Sequence, residues 1–255
     1  MDWRKHFLQI PETTEVRMGI FLLFICTLAL GPYLLSYKPI KPAVLEITKP
    51  TIFASSLKEI THGDTRKKQV IFTFDGGDGI QSADQILAVL AKHQVKGTFF
   101  LTGKFIEANP ELVKRMAASG NEIFNHTYDH PHLTQSSDGE IAGELQKMES
   151  VLEATTGISP RPYFRAPYGD RDQRVLGEAF KVGYESVYWS IDARDWEEST
   201  GETAAEVHDN IISNLAPGNI YLMHIGDAIT GSILDEVFTE IENRGYRLVS
   251  LTQGL

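Results

Sequence analysis

The chain has 255 residues, 42% of them hydrophobic and 23% charged, an ordinary globular composition that excludes disorder of the whole chain. The net charge of −10 is unevenly spread: residues 69–255 carry 14 Lys and Arg against 28 Asp and Glu, and residues 1–68 carry 10 against 6. So acidic a domain repels phosphate backbones, which argues against nucleic acid as a partner and suits a neutral or amino-sugar polymer better; the lone Cys26 excludes an internal disulfide.

In chain order, a charged leader over 1–17 precedes 20 uncharged residues from Met18 to Tyr37. As a helix they span about 30 Å, the thickness of a bilayer's hydrocarbon, and predict a transmembrane anchor. The competing reading is a cleaved signal peptide, with a small-x-small site at Ala29-Leu30-Gly31. Pro32 would follow that cut and the charged leader is long, so the uncleaved anchor is preferred. Ile25 stands where a small residue would precede a lipidated Cys26, which argues against a lipoprotein. Arg4, Lys5 and Arg17 on one side face Lys38, Lys41 and Lys49 on the other, so charge gives no orientation. Residues 38–68, with Pro39, Pro42, Pro50 and Arg66-Lys67-Lys68, read as a stalk, and the folded domain is expected over 69–255.

From there strand-like and helix-like stretches alternate, the pattern of βα units and an α/β fold. Val70 to Phe74 is a strand; Ala83, Ile86, Leu87 and Leu90 then follow a helical stripe. Gly97 to Leu101 is the next strand. Asn109 and Pro110 open a helix with Leu112, Val113 and Met116 on its apolar face, which Gly120 stops. Glu122 to Asn125 is a strand, and Ser137 with Glu140 forms a capping box ahead of the stripe Ile141, Leu145, Met148, Leu152. A second capping box is Thr203 with Glu206. Tyr163 to Arg165, Tyr184 to Ile191 and Asn219 to Met223 are further strands, followed by a helix carrying Leu234, Val237, Phe238 and Ile241, and then Arg247 to Leu251.

Five segments place polar groups directly after these apolar runs: Asp75-Gly76-Gly77, His126 to His130, Arg165-Ala166-Pro167-Tyr168, Asp192 to Trp196, and His224. Parallel strands collect such groups at their carboxyl ends, so one cleft could hold all five. Singly, each has a plainer reading. Asp75 with its glycines is a turn, His126 and His130 at i, i+4 are two exposed histidines or a metal-binding pair, and Arg165 is a surface arginine before a structural proline. Asp192 and Asp195 are loop or cap carboxylates, His224 is a core histidine, and Trp196 and Leu222 are either core or pocket wall. His132 matches no metal position.

Taken in order, the five segments resemble the motifs of the polysaccharide deacetylases, the NodB-like domain of carbohydrate esterase family 4, from about Val70 to Leu251. The resemblance implies a distorted (β/α) barrel, with fewer units than the roughly 250-residue eightfold barrel. It implies a hydrolase removing N-acetyl groups from peptidoglycan, a chitin-like chain or another N-acetylhexosamine polymer. In these terms Asp75 is the general base, Arg165 holds it ionised, His224 is the general acid and Asp195 orients it. The backbone near Pro167 and Tyr168 would bind the oxyanion. Trp196 and Leu222 would line the acetyl pocket, and His126 and His130 would bind a divalent ion, zinc or cobalt.

One position departs. The family's second aspartate, a metal ligand, is Gly76 here, which leaves metal dependence open between a site completed by water and one in which Asp78 substitutes. Retention of Asp75, Arg165, Asp195 and His224 favours an active enzyme over a silent glycan-binding protein of the same fold; an O-acetyl esterase is the third alternative. The expected location is the cell membrane, single-pass, with the domain extracytoplasmic.

Overall fold

Eight short parallel strands form one sheet in the computed structural model, which describes residue 57 and residues 59–255. The order along the chain is β1 (Gln69–Gly76), α1 (Ala83–Lys92), β2 (Thr98–Leu101), α2 (Gly103–Ala108), α3 (Pro110–Ala118) and β3 (Glu122–Asn125). Next come α4 (Asp138–Thr156), β4 (Tyr163–Phe164), α5 (Gln173–Lys181), β5 (Glu185–Ser186) and β6 (Ile191–Asp192). The chain ends with α6 (Ala204–Ser213), β7 (Ile220–His224), α7 (Ala228–Asn243), β8 (Arg247–Val249) and α8 (Leu251–Gly254). The expected transmembrane segment over 18–37, the leader and most of the stalk lie outside the described residues; no helix among the described ones is long and apolar enough to cross a membrane.

The sheet runs β5-β4-β3-β2-β1-β7-β6, with β8 also on β1. β1 is its axis: β7 pairs one edge from Ile71 to Asp75, while β8 takes Gln69 to Ile71 of the other edge before β2 takes over at Thr73. All eight residues of β1 are buried, as in a strand covered on both faces. The path ends at β5 and β6, which do not pair with each other, so the expected barrel is realised as a curled sheet that closes only partly.

Alternation along β1 sorts the two faces. Val70, Phe72 and Phe74 join the helix-facing core with Ile86, Leu90, Val113 and Phe238. Ile71 points into the curl among Phe100, Phe124, Val187, Ile220 and Leu251. Thr73 and Asp75 continue that inner row toward the carboxyl ends.

The folded unit extends upstream of Gln69. Ile60 bridges to Val187 and His62 to Asn219, while Glu59 accepts from Arg171 at 2.7 and 2.8 Å, so residues read as stalk lie between β5 and β7. The strand expected from Tyr184 to Ile191 is split because its partners change: Tyr188 N–H donates to Ile60 O and Ser190 N–H to Ile220 O. Three helices had no reading in the sequence, α2, α5 and the short α8. α2 is capped by Thr102, and α5 by Asp172 with Val175, Leu176 and Ala179 buried. Asn109 does not cap α3 through its side chain; its amide donates to Phe105 O at 3.0 Å and closes α2 instead. Both capping boxes form as expected, and Gly157 at φ 76 ends α4.

Candidate active site

Asp75 and His224 are register partners at the carboxyl ends of β1 and β7. Around them a cavity of about 550 Å³ is lined by residues from all five polar segments.

Arg165 is fully buried, stacks its guanidinium on Phe100 at 4.1 Å and donates to Asp75 Oδ1 at 2.7 Å and to Thr73 Oγ1 at 2.9 Å. The carbonyls of Val187 and Tyr188 accept from its Nε and Nη2. Burial pushes the Asp75 carboxyl up, but the charge and hydrogen bond of Arg165, with the charge of His224, outweigh it and hold the group below the usual range. The surface-arginine reading of Arg165 is thereby replaced by a buried ion pair aimed at the cavity.

His224 has the opposite setting. Its Nδ1 lies 2.9 Å from Asp195 Oδ1 and its backbone N–H donates to Asp195 Oδ2 at 2.7 Å; Thr230 also donates to that oxygen. Burial disfavours the cation, yet the hydrogen bond and charge of fully buried Asp195, with a contribution from Asp75, push His224 up to about 9. The neutral range therefore finds a carboxylate and an imidazolium side by side.

The histidine pair lies in a loop after β3, not on a helix. His126 Nδ1 is 2.9 Å from Arg165 O. Since a carbonyl only accepts, Nδ1 carries the proton and the neutral ring presents the Nε2 lone pair. That Nε2 lies 3.2 Å from His130 Nε2 and 3.5 Å from Asp75 Oδ2. Burial lowers both histidines, and beside His126 the His130 ring falls to about 4. With the His130 proton on Nδ1, two lone pairs would face each other at that separation, an arrangement that fits a divalent ion with two protein ligands. Thr127 at φ 67 and His130 at φ 60 hold left-handed conformations, costing on the order of 1–2 kcal/mol each.

A third ligand is not assembled there. Gly76 follows the alternation of β1 and faces the helix side, where a Cβ would lie 2.6 Å from Leu101 Cδ2 and 2.8 Å from Ile225 Cδ1. Asp78 lines the cavity, but among the described residues it forms no cluster of ligand atoms within 4.8 Å with the two histidines, so the structure does not bring it in as a substitute ligand. The cluster that does form is Asp195, His224 and Asp227. Within it His224 Nδ1 and Asp195 already bond each other, which suits an oriented acid.

Tyr168 is 63% exposed and lines the cavity in a tight turn at φ 58, ψ 7; among the described residues no backbone carbonyl receives its N–H. Pro167, expected at the substrate, is buried under the turn and does not line the cavity. Leu222 and Trp196 both line it, the indole N–H near Asp192 at 3.3 Å. Trp189 and Asp227 also line it and went unread in the sequence; Trp189 stacks on Tyr188 at 3.8 Å. His132 is engaged too, stacked on Tyr168 at 4.2 Å with Nδ1 3.3 Å from Asp170.

Residues 62–187 match a sequence profile described as polysaccharide deacetylase. The chain is 35% identical over 189 residues to the peptidoglycan-N-acetylmuramic acid deacetylase PdaA of Bacillus subtilis, covering 74% of this chain and 72% of that protein. The chain belongs to the polysaccharide deacetylase family. The solved structure of PdaA, a family 4 carbohydrate esterase, superposes with a TM-score of 0.75 at 33% identity, over 79% of this chain and 86% of that one. A peptidoglycan-N-acetylglucosamine deacetylase of Bacillus cereus is 35% identical over 193 residues, 74% of this chain and 69% of that protein. The family also holds a pseudoenzyme from Bacillus anthracis, similar to this chain with a TM-score of 0.73 at 30% identity, over 78% of this chain and 69% of that one.

Proposed function

We propose that this protein is a hydrolase that removes N-acetyl groups from an N-acetylhexosamine polymer of the peptidoglycan type, tethered to the membrane by residues 18–37 with its catalytic domain outside. The observation that carries the reading is the pairing of Asp75 with Arg165 and of His224 with Asp195, which sets a base and an acid in opposite protonation states on adjacent strands. A pseudoenzyme would have no need to keep both settings. The tether rests on the uncharged run from Met18 to Tyr37.

Asp75 accepts a proton from a water as its oxygen attacks the acetamide carbonyl carbon. The Tyr168 N–H stabilises the oxygen that becomes negative, a contribution of about 3 kcal/mol when such a donor is preorganised. His224 gives its proton to the nitrogen as the C–N bond breaks, and acetate and a free amine result. Leu222 and Trp196 exclude water around the acetyl methyl. A divalent ion on His126 and His130, zinc or cobalt by the chemistry of imidazole donors, would polarise the carbonyl and acidify the attacking water.

Asp78 lines the cavity, and its carboxylate would repel a lactyl carboxylate on the reacting sugar. N-Acetylglucosamine units are therefore the preferred reacting sugar over muramic acid. The test is acetate release by the purified full chain, with zinc or cobalt, from N-acetylglucosamine oligomers, muramic-acid-containing glycan and an O-acetylated polymer. Release from the first at the highest rate supports the reading. Release from the O-acetylated polymer alone makes the protein an esterase, and oligomer binding without release makes it a silent glycan binder.

A further inference from the structure

The two cavity histidines ride on five residues that lie outside any helix or strand, with left-handed conformations at Thr127 and His130. Such a backbone persists only where its surroundings over-determine it. Every N–H of the segment is taken. His126 N–H donates to Leu101 O at 3.1 Å, Thr127 N–H to Asn125 Oδ1 at 2.8 Å and His130 N–H to Thr127 Oγ1 at 3.1 Å. The two at the apex, Tyr128 N–H and Asp129 N–H, donate to one oxygen, Glu144 Oε2, at 2.9 and 2.7 Å. Consecutive N–H groups converging on one anion form a small concave site, and the charge strengthens each bond.

Glu144 is partly buried on α4 and does not line the cavity. Its neighbour Leu145 accepts from Asn125 Nδ2 at 2.9 Å, so one turn of α4 holds both the base of the loop and its apex. The helix itself is anchored by Ile141, Leu145, Met148 and Leu152, all fully buried, and does not need the Glu144 carboxylate to stay in place.

We propose that Glu144 is a positioning residue for the divalent-ion site: its carboxylate holds the loop in the one conformation that aims His126 Nε2 and His130 Nε2 at a common point. This rests on the reading of that pair as an ion site. Outer partners of this kind change metal affinity by about 10- to 100-fold when removed.

The test uses the full chain and zinc alone, titrated calorimetrically, with deuterium uptake by the peptide covering 126–130 and a thermal melt recorded on the same samples. Glu144→Ala is expected to weaken zinc binding about tenfold or more and to raise uptake in that peptide, with the melt nearly unchanged. Glu144→Gln keeps an oxygen acceptor and is expected to retain affinity within about threefold, a rescue that a charge effect alone would not give. If Glu144→Ala does not fold, Glu144→Asp, which withdraws the oxygen by one methylene, takes its place with the same expected loss. Wild-type affinity in a folded Ala or Asp variant overturns the positioning role and leaves the ion site standing. No zinc uptake by the wild type overturns the ion site, and with it this role.

Discussion

Asp75 and His224 face each other as register partners on neighbouring parallel strands, yet the protein holds one as an anion and the other as a cation. Neither setting belongs to the residue type. Arg165 makes the first, and Asp195 the second.

The pH profile follows from these partners. Asp75, held below the usual carboxylate range, loses its charge only as the pH falls through its own depressed value. His224, pushed up to about 9, stays protonated until the pH rises through that value. With zinc held constant, kcat/KM is expected to be level through the neutral range and to fall above about pH 9. The stability contributed by the His224–Asp195 bond follows the same sign: it is full below the ordinary histidine value and is lost as the pH rises through about 9. An alkaline limb near pH 7 in the rate profile would contradict the assigned acid.

Asp75→Asn is expected to cost stability as well as rate, because Arg165 is fully buried and loses its counter-charge. The loss is on the order of 2 kcal/mol, smaller than the roughly 3–5 kcal/mol of a deleted buried partner, since the amide oxygen still accepts from Arg165. Denaturant unfolding of wild type and variant checks it. An unchanged midpoint would show that the ion pair is not as isolated from solvent as its burial implies.

The glycines after Asp75 separate by direction. A carboxylate at 76 would press on Leu101 and Ile225, whereas a Cβ at 77 would meet only Thr102 Cγ2 at 3.5 Å and His130 Cδ2 at 3.8 Å, ordinary contacts on the cavity side. Gly77→Asp is therefore expected to tighten zinc binding about tenfold or more by adding a third ligand. Gly76→Asp is expected to lower the melting temperature without that gain, and Asp78→Ala to leave affinity unchanged. Calorimetric titration of the three variants decides, and tightening by Gly76→Asp alone would reverse the assignment.

The N-terminal segment is expected to keep the full chain in the membrane fraction. Edman sequencing of the mature protein checks this; a soluble chain beginning at Pro32 or later would replace the anchor with a cleaved signal.

Much of the site was legible because parallel strands bring their carboxyl ends together: Asp75, His126, His130, Arg165, Asp195 and His224 each follow an apolar run, and all converge. Alternation could have gone further. With Val70, Phe72 and Phe74 on one face, Asp75 turns inward and position 76 outward, so the direction of Gly76 follows from the strand pattern alone. Trp189 and Asp227 were not, since nothing local distinguishes an aromatic beside a strand break or a carboxylate ahead of a helix from many others. Residues 59–63 resemble a linker by composition and become part of the sheet only because β5 and β7 leave backbone groups for them. Glu144 carries no motif at all; its role depends on where α4 crosses the histidine loop.

The most direct measurement is acetate release from an N-acetylglucosamine oligomer by the zinc-loaded full chain, set beside Asp75→Asn with the free amine quantified in the same reaction. Wild type is expected to yield acetate and amine in equal amounts, at a rate about 10²- to 10⁴-fold above the variant. Wild type that binds the oligomer but releases no more acetate than Asp75→Asn would contradict an active hydrolase and leave a glycan-binding protein built on the same cleft.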